Sequence, residues 1–536
     1  MAHTSSPLPA KIWAKSARGN RPGESLARHS AAVAAVLSQL ALRSPSLATL
    51  ADDPRLWHRA FWACWLHDLG KAAGAFQRYL RGERTHWEHR HEVLSLAFLP
   101  WVTPPETEDF PWIAGAIASH HRDARVIVGE RYNPINPPED LGLEAMVAEL
   151  EDEAIVGIAT WLRETGPAWL ADSSLSRLGV GPAEAAPRQV DVDRFRREAP
   201  RAIIGALEAY RRLWRAHREI RGDGAARRQG LLLRGLVVLS DHLASAHARR
   251  LDPLVIPSAE VLLERAGAHG GQLKSHQVAA RDVEGSLVLA APTGSGKTEA
   301  ALLWAGRQCK DRPIPSKLIY LLPYQASANA MRRRLRDQLE TEVGLLHGRG
   351  AQVLYRELAE GGCDGQQAER EARRAVDLAR LHHPPVWVAT PYQLLRAAYR
   401  LPAYETIWTS LGSALIVIDE PHAYEPIRLG LLLGLLGELV QNWDVRVCAM
   451  TATLPTWLRA LLQEALGAPS LPVDHDLFAQ FRRHRLVLVP GEIVDAATIA
   501  RIADEVRAGR SVLVGVNTVA RAQIVRSALL QHLGPE

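Results

Sequence analysis

The sequence is poor in cysteine and contains no long apolar run. Only four cysteines occur among 536 residues, and their wide spacing excludes a disulfide framework and a cysteine-based zinc site. The apolar stretch 429–437 is much shorter than the roughly 18–20 residues that a membrane-spanning helix requires. The first residues lack the apolar core of a secretory signal. These absences predict a cytoplasmic location and no membrane partner.

The composition is that of an ordinary globular protein. Hydrophobic residues make up 47% of the chain and charged residues 23%, which excludes a chain that is disordered throughout. At this length we expect two or three domains. The net charge of +5 permits a nucleic-acid partner without requiring one.

The spacing of apolar residues divides the chain into two regions. Over residues 24–250, apolar residues recur with the 3.6-residue period of α-helices. From about residue 285, short apolar runs alternate with helical patterns, which is typical of a parallel α/β sheet. The predicted strands of this sheet lie at 286–290, 317–323, 386–390, 414–420 and 445–453. A further apolar run at 511–517 predicts the first strand of another sheet.

A glycine-rich loop follows the first predicted strand. Its glycines allow backbone N–H groups to turn toward phosphate oxygens, Lys297 can reach the β- and γ-phosphates, and the Thr298 hydroxyl can bind Mg²⁺. An ordinary glycine-rich turn is the alternative, but a strand before the loop and a helical pattern after it favour phosphate binding. The predicted nucleotide-binding residues of the loop are Thr293, Gly294, Ser295, Gly296, Lys297 and Thr298.

An acidic pair ends the predicted strand at 414–420. Asp419 lies where a parallel sheet can hold Mg²⁺, and Glu420 can orient a water molecule for attack on a phosphate. Such a pair is often only part of a turn. The phosphate-binding loop earlier in the chain favours the catalytic interpretation.

Several histidines and two carboxylates share the apolar faces of predicted helices in the first region. His29, for example, is in phase with Val33, Val36 and Leu40. The residues predicted to point inward are His29, His67, Asp68, His91, His120, His121 and Asp241. Separate buried hydrogen bonds are one explanation. A shared metal centre is favoured, because an unpaired buried carboxylate costs several kcal/mol and a cation would compensate it.

The order of these residues resembles the HD superfamily of metal-dependent phosphohydrolases. Four segments are more specific than this general order and indicate one subgroup of the superfamily. They are HDLGK at 67–71, the AFQRYL that follows it, WAKS at 13–16 and SDHLASA around Asp241. In the second region, Ala291 in place of the first loop glycine and the sequence TAT at 451–453 resemble superfamily 2 helicases. An HD domain followed by such a helicase resembles the CRISPR-associated helicase–nuclease of type I systems.

This resemblance implies a fold and a function. The fold would be multidomain, with an all-α HD domain at 1–250, a linker at 251–271, an α/β RecA-like lobe at 272–470 and the start of a second RecA-like lobe at 471–536. The HD domain would degrade single-stranded DNA, and the helicase would draw the strand in with ATP. An RNA-guided surveillance complex with its R-loop would recruit the chain in antiviral defence.

The resemblance also assigns residues to roles. The metal ligands would be the inward-facing set given above, Lys71 would stand near the scissile phosphate, and Gln277 would contact adenine. Asn517 and Thr518 resemble the opening motif of a second helicase lobe. The catalytic residues of the two regions would be Asp68, Lys71, Lys297, Asp419, Glu420 and His422.

The expected cofactors are two divalent transition-metal ions and ATP with Mg²⁺. Most of the expected HD ligands are imidazoles, which suit Mn²⁺, Co²⁺, Ni²⁺ or Fe²⁺ better than Mg²⁺. The motifs expected to carry an arginine finger are absent from the sequence, so we expect ATP to bind but to be hydrolysed weakly or not at all.

Two other functions are open at this point. The chain could be an HD phosphohydrolase of small nucleotides with a regulatory ATP-binding domain, or a strand-binding module whose HD site is only structural. The size of the helical region and the linked acidic pair argue against the first, and loss of nuclease activity in Asp68→Ala would exclude the second.

Overall fold

The computed structural model describes residues 11–17, 22–83, 87–136, 139–183, 185–219, 224–248, 250–267, 271–310, 315–482 and 485–534. The chain divides into two compact units, one ending at Phe478 and the other beginning at Ala479. Within the described residues, no helix is both long enough and apolar enough to cross a membrane.

The first region is helical, as predicted, apart from a short antiparallel pair of strands. The pair comprises β1 (Trp13–Lys15) and β2 (Glu24–Ser25). The helices are α1 (Leu26–Arg43), α2 (Leu47–Ala51), α3 (Leu56–Leu66), α4 (Gly74–Leu80), α5 (His91–Ser95), α6 (Asp109–Ser119), α7 (Leu143–Ala148), α8 (Asp152–Thr160), α9 (Gly166–Ala171), α10 (Val192–Glu219) and α11 (Gly224–Ser245). Short 3₁₀ segments lie at Leu69–Ala72, Leu96–Trp101 and Ser174–Leu178, and π-helical turns at Arg125–Arg131 and Trp161–Thr165.

Helix α3 forms the centre of this region because every one of its side chains is buried. Trp65 stacks on Trp161 with ring centroids 4.5 Å apart, and Phe61 stacks on Trp65 at 5.4 Å. Large aromatic side chains bury much apolar surface and restrict one another's rotamers. The helix therefore holds its C-terminal end, where His67 and Asp68 follow, in a fixed place.

The second region is a parallel sheet covered by helices. The strands are β3 (Leu287–Ala290), β4 (Leu318–Leu321), β5 (Val343–Leu346), β6 (Val386–Ala389), β7 (Leu415–Asp419) and β8 (Arg446–Thr451), in the spatial order β3-β8-β7-β4-β6-β5. The helices are α12 (Ala259–Arg265), α13 (Ser275–Asp282), α14 (Lys297–Gln308), α15 (Gln325–Leu339), α16 (Gly350–Glu360), α17 (Gly365–Arg380), α18 (Pro391–Ala398), α19 (Tyr404–Leu411), α20 (Pro426–Asn442), α21 (Thr456–Leu466) and α22 (His475–Gln480). A 3₁₀ turn lies at Pro421–Ala423.

The five predicted strands of this sheet are confirmed, and β5 is an additional strand that the sequence did not predict. Its run Val-Gly-Leu-Leu contains a glycine, a residue that is depleted in strands. All pairs are parallel, which places the carboxyl ends of the strands at one edge. The loop after β3, Asp419 at the end of β7 and Thr451 at the end of β8 therefore meet there.

The predicted strand at 511–517 is wrong. None of these described residues lies in a strand, and Leu513 is 97% exposed. A strand is stable only when its backbone N–H and C=O groups pair with a neighbour, and none of the described residues pairs with this segment. In the second unit, α23 (Ala496–Arg507) packs against α24 (Val519–Leu533), and the Thr518 side chain caps α24 by accepting from the Arg521 backbone N–H.

Candidate metal centre and nucleotide site

The helical region brings all the predicted metal ligands to one place. They come from α1, from the residues after α3, from the start of α5, from the residues after α6 and from α11. Within the described residues they form three overlapping groups, each with ligand atoms within 4.8 Å of one another: Asp68, His91, His120 and His121; His29, His67 and Asp68; and His67, His120 and Asp241. Asp68 joins the first two groups.

The two carboxylate oxygens of Asp68 face different histidines. Its Oδ2 lies 3.4 Å from Nε2 of both His29 and His67, whereas its Oδ1 lies 3.1 Å from Nε2 of His91. The Lys71 ammonium donates to Oδ2 over 2.6 Å. Burial would raise the pKa of Asp68, but His67 and Lys71 hold that pKa well below its usual value. Asp68 therefore lies between two sets of histidines, with one carboxylate oxygen toward each set.

Two of the histidines are held in the tautomer that a metal requires. Nδ1 of His67 lies 2.7 Å from the Cys64 carbonyl, and Nδ1 of His120 lies 2.7 Å from the Ile117 carbonyl. A carbonyl only accepts, so each Nδ1 carries the proton and each Nε2 keeps a lone pair. Burial also lowers the pKa of both rings, which favours the neutral form that binds a metal.

The cluster contains buried polar atoms that make no hydrogen bond with the described residues. They are both ring nitrogens of His29, Oδ1 of Asp68, and Nε2 of His67, His91 and His120. Each such atom costs free energy when it is buried without a hydrogen bond. Divalent cations accept this set of imidazole and carboxylate donors, so the residues fit a metal centre.

Two glutamates that were not expected from the sequence, Glu24 and Glu92, lie beside this cluster. Oε2 of Glu92 lies 3.6 Å from Nδ1 of His91, and Oε2 of Glu24 lies 3.8 Å from Nδ1 of His29. The Glu92 side chain is fully buried. Carboxylates behind ligand histidines orient the ring and raise its basicity. The sequence signal for Glu92 was its place directly after His91.

His121 departs from the prediction that it faces inward. Its side chain is exposed, although its ring centroid lies 4.0 Å from that of His120 and 5.2 Å from that of His91. Helix α6 ends at Ser119, so helical phase no longer determines where the side chains of His120 and His121 point. His121 therefore lies at the open side of the cluster.

Gly70 and Gln77 explain two of the motifs that the sequence analysis found. A Cβ atom at Gly70 would lie 2.0 Å from the His91 carbonyl oxygen, so only glycine fits between the two ligand segments. The Gln77 amide pairs with both backbone groups of Trp13 over 2.8 Å and donates to the Lys71 carbonyl over 2.6 Å. Strand β1 is thereby fixed beside the cluster.

The second candidate site lies at the carboxyl edge of the sheet. Gly294 and Gly296 have φ of 80° and 96°, conformations that residues with a side chain rarely adopt. Lys297 begins α14, and its ammonium lies 3.0 Å from Oε1 of Glu420. The phosphate loop and the acidic pair, distant in sequence, therefore face each other as a nucleotide site requires.

Asp419 and Glu420 have different environments. The Tyr320 hydroxyl donates to Oδ2 of Asp419 over 3.0 Å, whereas Oδ1 is buried without a partner among the described residues. Burial raises the pKa of Asp419 to about 6, and the neighbouring charge of Glu420 adds to this effect. An unpaired buried carboxylate oxygen at this edge suits Mg²⁺.

Thr451 connects the acidic pair to the next strand. Its hydroxyl donates to Oε2 of Glu420 over 2.8 Å, and the Ala452 backbone N–H lies 3.3 Å from the same oxygen. Nδ1 of His422 lies 2.8 Å from the Thr451 hydroxyl. A shift of the Glu420 side chain would therefore alter the hydrogen bonds at the end of β8.

Gln277 contacts the phosphate loop itself. Its amide nitrogen donates to the Gly296 carbonyl over 3.2 Å, and its amide oxygen accepts from the Lys274 backbone N–H. Adenine recognition by Gln277 stays a prediction. The arginines of α15 are ion-paired within the sheet region, for example Arg332 with Glu357 at 2.7 Å.

Comparison with known proteins identifies both regions. Residues 13–249 match the family described as Cas3, HD domain, and residues 272–461 match the DEAD/DEAH box helicase family. The chain is 29% identical to the CRISPR-associated endonuclease/helicase Cas3 of Thermus thermophilus, over 98% of this chain and 57% of that protein. It is 30% identical to the CRISPR-associated nuclease/helicase Cas3 of Methanothermobacter thermautotrophicus, over 44% of this chain and 28% of that protein.

Among solved structures, the ADP complex of T. fusca Cas3 is similar in fold, with a TM-score of 0.50 and 21% identity over 86% of this chain and 52% of that chain. The chain spans about half the length of that structure and of the T. thermophilus relative. A metal-ligand cluster in a helical domain, followed by a phosphate loop on a parallel sheet, defines an HD–helicase fusion. This chain combines a Cas3 HD domain with a DEAD/DEAH box helicase domain, which is the arrangement of such a fusion.

Proposed function

We propose that the chain is an ATP-dependent DNA helicase and metal-dependent single-stranded DNA nuclease of type I CRISPR defence. Residues 1–250 would form the nuclease and 272–470 the ATP-binding lobe, with 251–271 as linker and 471–536 as the start of a second lobe. The observation that carries the proposal is Asp68, whose two oxygens face separate groups of histidines. The names of the relatives, nuclease/helicase and endonuclease/helicase, support it.

The nuclease centre would hold two divalent ions, and the residues that would bind them are His29, His67, Asp68, His91, His120, His121 and Asp241. Imidazole donors favour Mn²⁺, Co²⁺, Ni²⁺ or Fe²⁺ over Mg²⁺. When bound, such ions stabilise the negative charge that develops on a phosphodiester. The Lys71 ammonium, 2.6 Å from Asp68, would contact a phosphate oxygen of the strand. His121 would bind an ion at the open side of the cluster, where the DNA strand would enter.

The nucleotide site would bind ATP with Mg²⁺. The loop N–H groups and Lys297 would hold the phosphates, and Thr298 and Asp419 would bind Mg²⁺. Glu420 would orient the attacking water, with His422 acting through Thr451. Single-stranded DNA and an RNA-guided surveillance complex with its R-loop would be the partners.

The test is cleavage of circular single-stranded DNA by the purified chain with Mn²⁺. We expect cleavage by the wild type, its loss in Asp68→Ala, and no change in the control Asp172→Ala, which alters an exposed carboxylate. A parallel reaction contains deoxynucleoside triphosphates instead of DNA. Hydrolysis of the triphosphates without DNA cleavage would contradict the proposal and favour an HD nucleotide phosphohydrolase.

A further inference from the structure

One arginine joins three segments at the junction between the helical region and the sheet region. Arg234 lies on α11, and its Nε donates to the Ser119 carbonyl over 2.9 Å. Its Nη2 lies 3.0 Å from Oδ1 of Asp123, and its Nη1 pairs with Oε1 of Glu405. Glu405 belongs to α19, the helix that precedes β7 in the sheet region.

Arg234 contacts the chain on both sides of two expected ligands. Ser119 ends α6, His120 and His121 follow it, and Asp123 lies two residues beyond them. Asp241 lies seven residues after Arg234, about two turns along the same face of α11. The guanidinium is therefore positioned to hold two ligand-bearing segments in register.

The ion pair with Glu405 is poorly accessible to water. The Glu405 side chain is 8% exposed and that of Arg234 is 19% exposed. The next residue, Gly235, allows the helices to approach closely, because a Cβ there would lie 2.0 Å from the Thr409 hydroxyl oxygen. A planar guanidinium can serve several fixed acceptors at once, and removing one partner of such a pair leaves the other charge uncompensated.

We propose that Arg234 is a positioning residue of the metal centre. It fixes segment 119–123, which presents His120 and His121, and Glu405 of the ATP-binding region holds the guanidinium in place. Arg234 acts through the main chain of Ser119 and the carboxylate of Asp123. The inference rests on the proposed ligand role of His120 and His121, but not on DNA cleavage.

The experiment measures binding of Mn²⁺ by calorimetry and the absorption spectrum of bound Co²⁺, using the full chain. For Arg234→Ala we expect metal affinity to fall about 10–100-fold and the Co²⁺ spectrum to change, because the ligand segment loses its support. Arg234→Lys should restore part of the affinity. Glu405→Gln, a nearly isosteric change distant from the ligands, should weaken binding in the same direction.

Arg43→Ala is the matched control. Arg43 is buried at the same junction and donates to the carbonyls of Ser316, His383 and Pro384. The Arg43→Ala substitution should leave the Co²⁺ spectrum unchanged. If Arg234→Ala does not fold, Glu405→Gln decides the question. If the folded Arg234 and Glu405 variants bind Mn²⁺ with wild-type affinity and give the wild-type Co²⁺ spectrum, the positioning role of Arg234 is wrong, but the metal centre is not. If the wild-type chain binds neither Mn²⁺ nor Co²⁺, the proposed metal centre is wrong, and the positioning role falls with it.

Discussion

The groups nearest the Nδ1 atoms differ among the expected ligand histidines. Main-chain carbonyls face Nδ1 of His67 and His120, whereas carboxylates face Nδ1 of His29 and His91. A carbonyl fixes only the tautomer. A carboxylate also makes the ring a stronger donor, because its negative charge stabilises the positive charge that the ring acquires on the metal.

Glu92→Ala should therefore weaken metal binding about 10–100-fold, measured by Mn²⁺ titration. His91 would lose the carboxylate 3.6 Å behind its ring. Glu92→Gln, which keeps the size but not the charge, should show a smaller loss. Glu144→Ala, an exposed carboxylate of α7, is the control. Equal affinity in wild type and Glu92→Ala would contradict this role.

The expected ligands could be predicted from the sequence because helical phase shows which side chains share a buried face. It could not show Glu24, Glu92 or Arg234 in their roles, because those depend on which atoms the fold places opposite one another. It also placed His121 inward, since the phase of α6 was extended beyond Ser119, where the helix ends. Ligation of a metal by these residues stays a prediction.

At the scale of elements, the order of strands determines which side chains contact the acidic pair of the nucleotide site. Strands β7 and β8 are neighbours, so Thr451 reaches Glu420 directly, and Lys297 faces the same carboxylate from the other side. The five strands that were predicted are apolar runs with a clear start and end. Strand β5 was missed because a glycine interrupts its apolar run. The strand predicted at 511–517 is wrong because apolar character does not by itself supply a pairing partner.

Lys297→Ala should weaken ATP binding about ten- to a hundredfold, measured with a fluorescent ATP analogue. The change removes the positive charge at the start of α14, and a hydrogen bond to a charged group is worth about 1.5–3 kcal/mol. Lys310→Ala, an exposed lysine just beyond the same helix, is the control and should bind as the wild type does. Unchanged binding by Lys297→Ala would show that the loop does not hold the phosphates.

At the scale of the molecule, the helical and sheet regions share one apolar core. Leu47 of α2 and Leu411 of α19 both belong to it, and a Cβ at Gly412 would lie 2.6 Å from the Leu47 side chain. Separating the regions would expose this apolar surface to water. Tests of either activity therefore belong on the whole chain, with point variants used to silence one site at a time.

DNA cleavage should not require ATP. Every expected nuclease ligand comes from the helical region, and none comes from the sheet region that would bind ATP. The chain carrying Lys297→Ala should therefore cleave circular single-stranded DNA with Mn²⁺ at the wild-type rate, within about twofold, and ATP should not change that rate. Asp68→Ala in the same assay shows the background. Cleavage that depends strictly on ATP, or that is lost in Lys297→Ala, would mean that nucleotide binding completes the metal centre and that the two sites work as one.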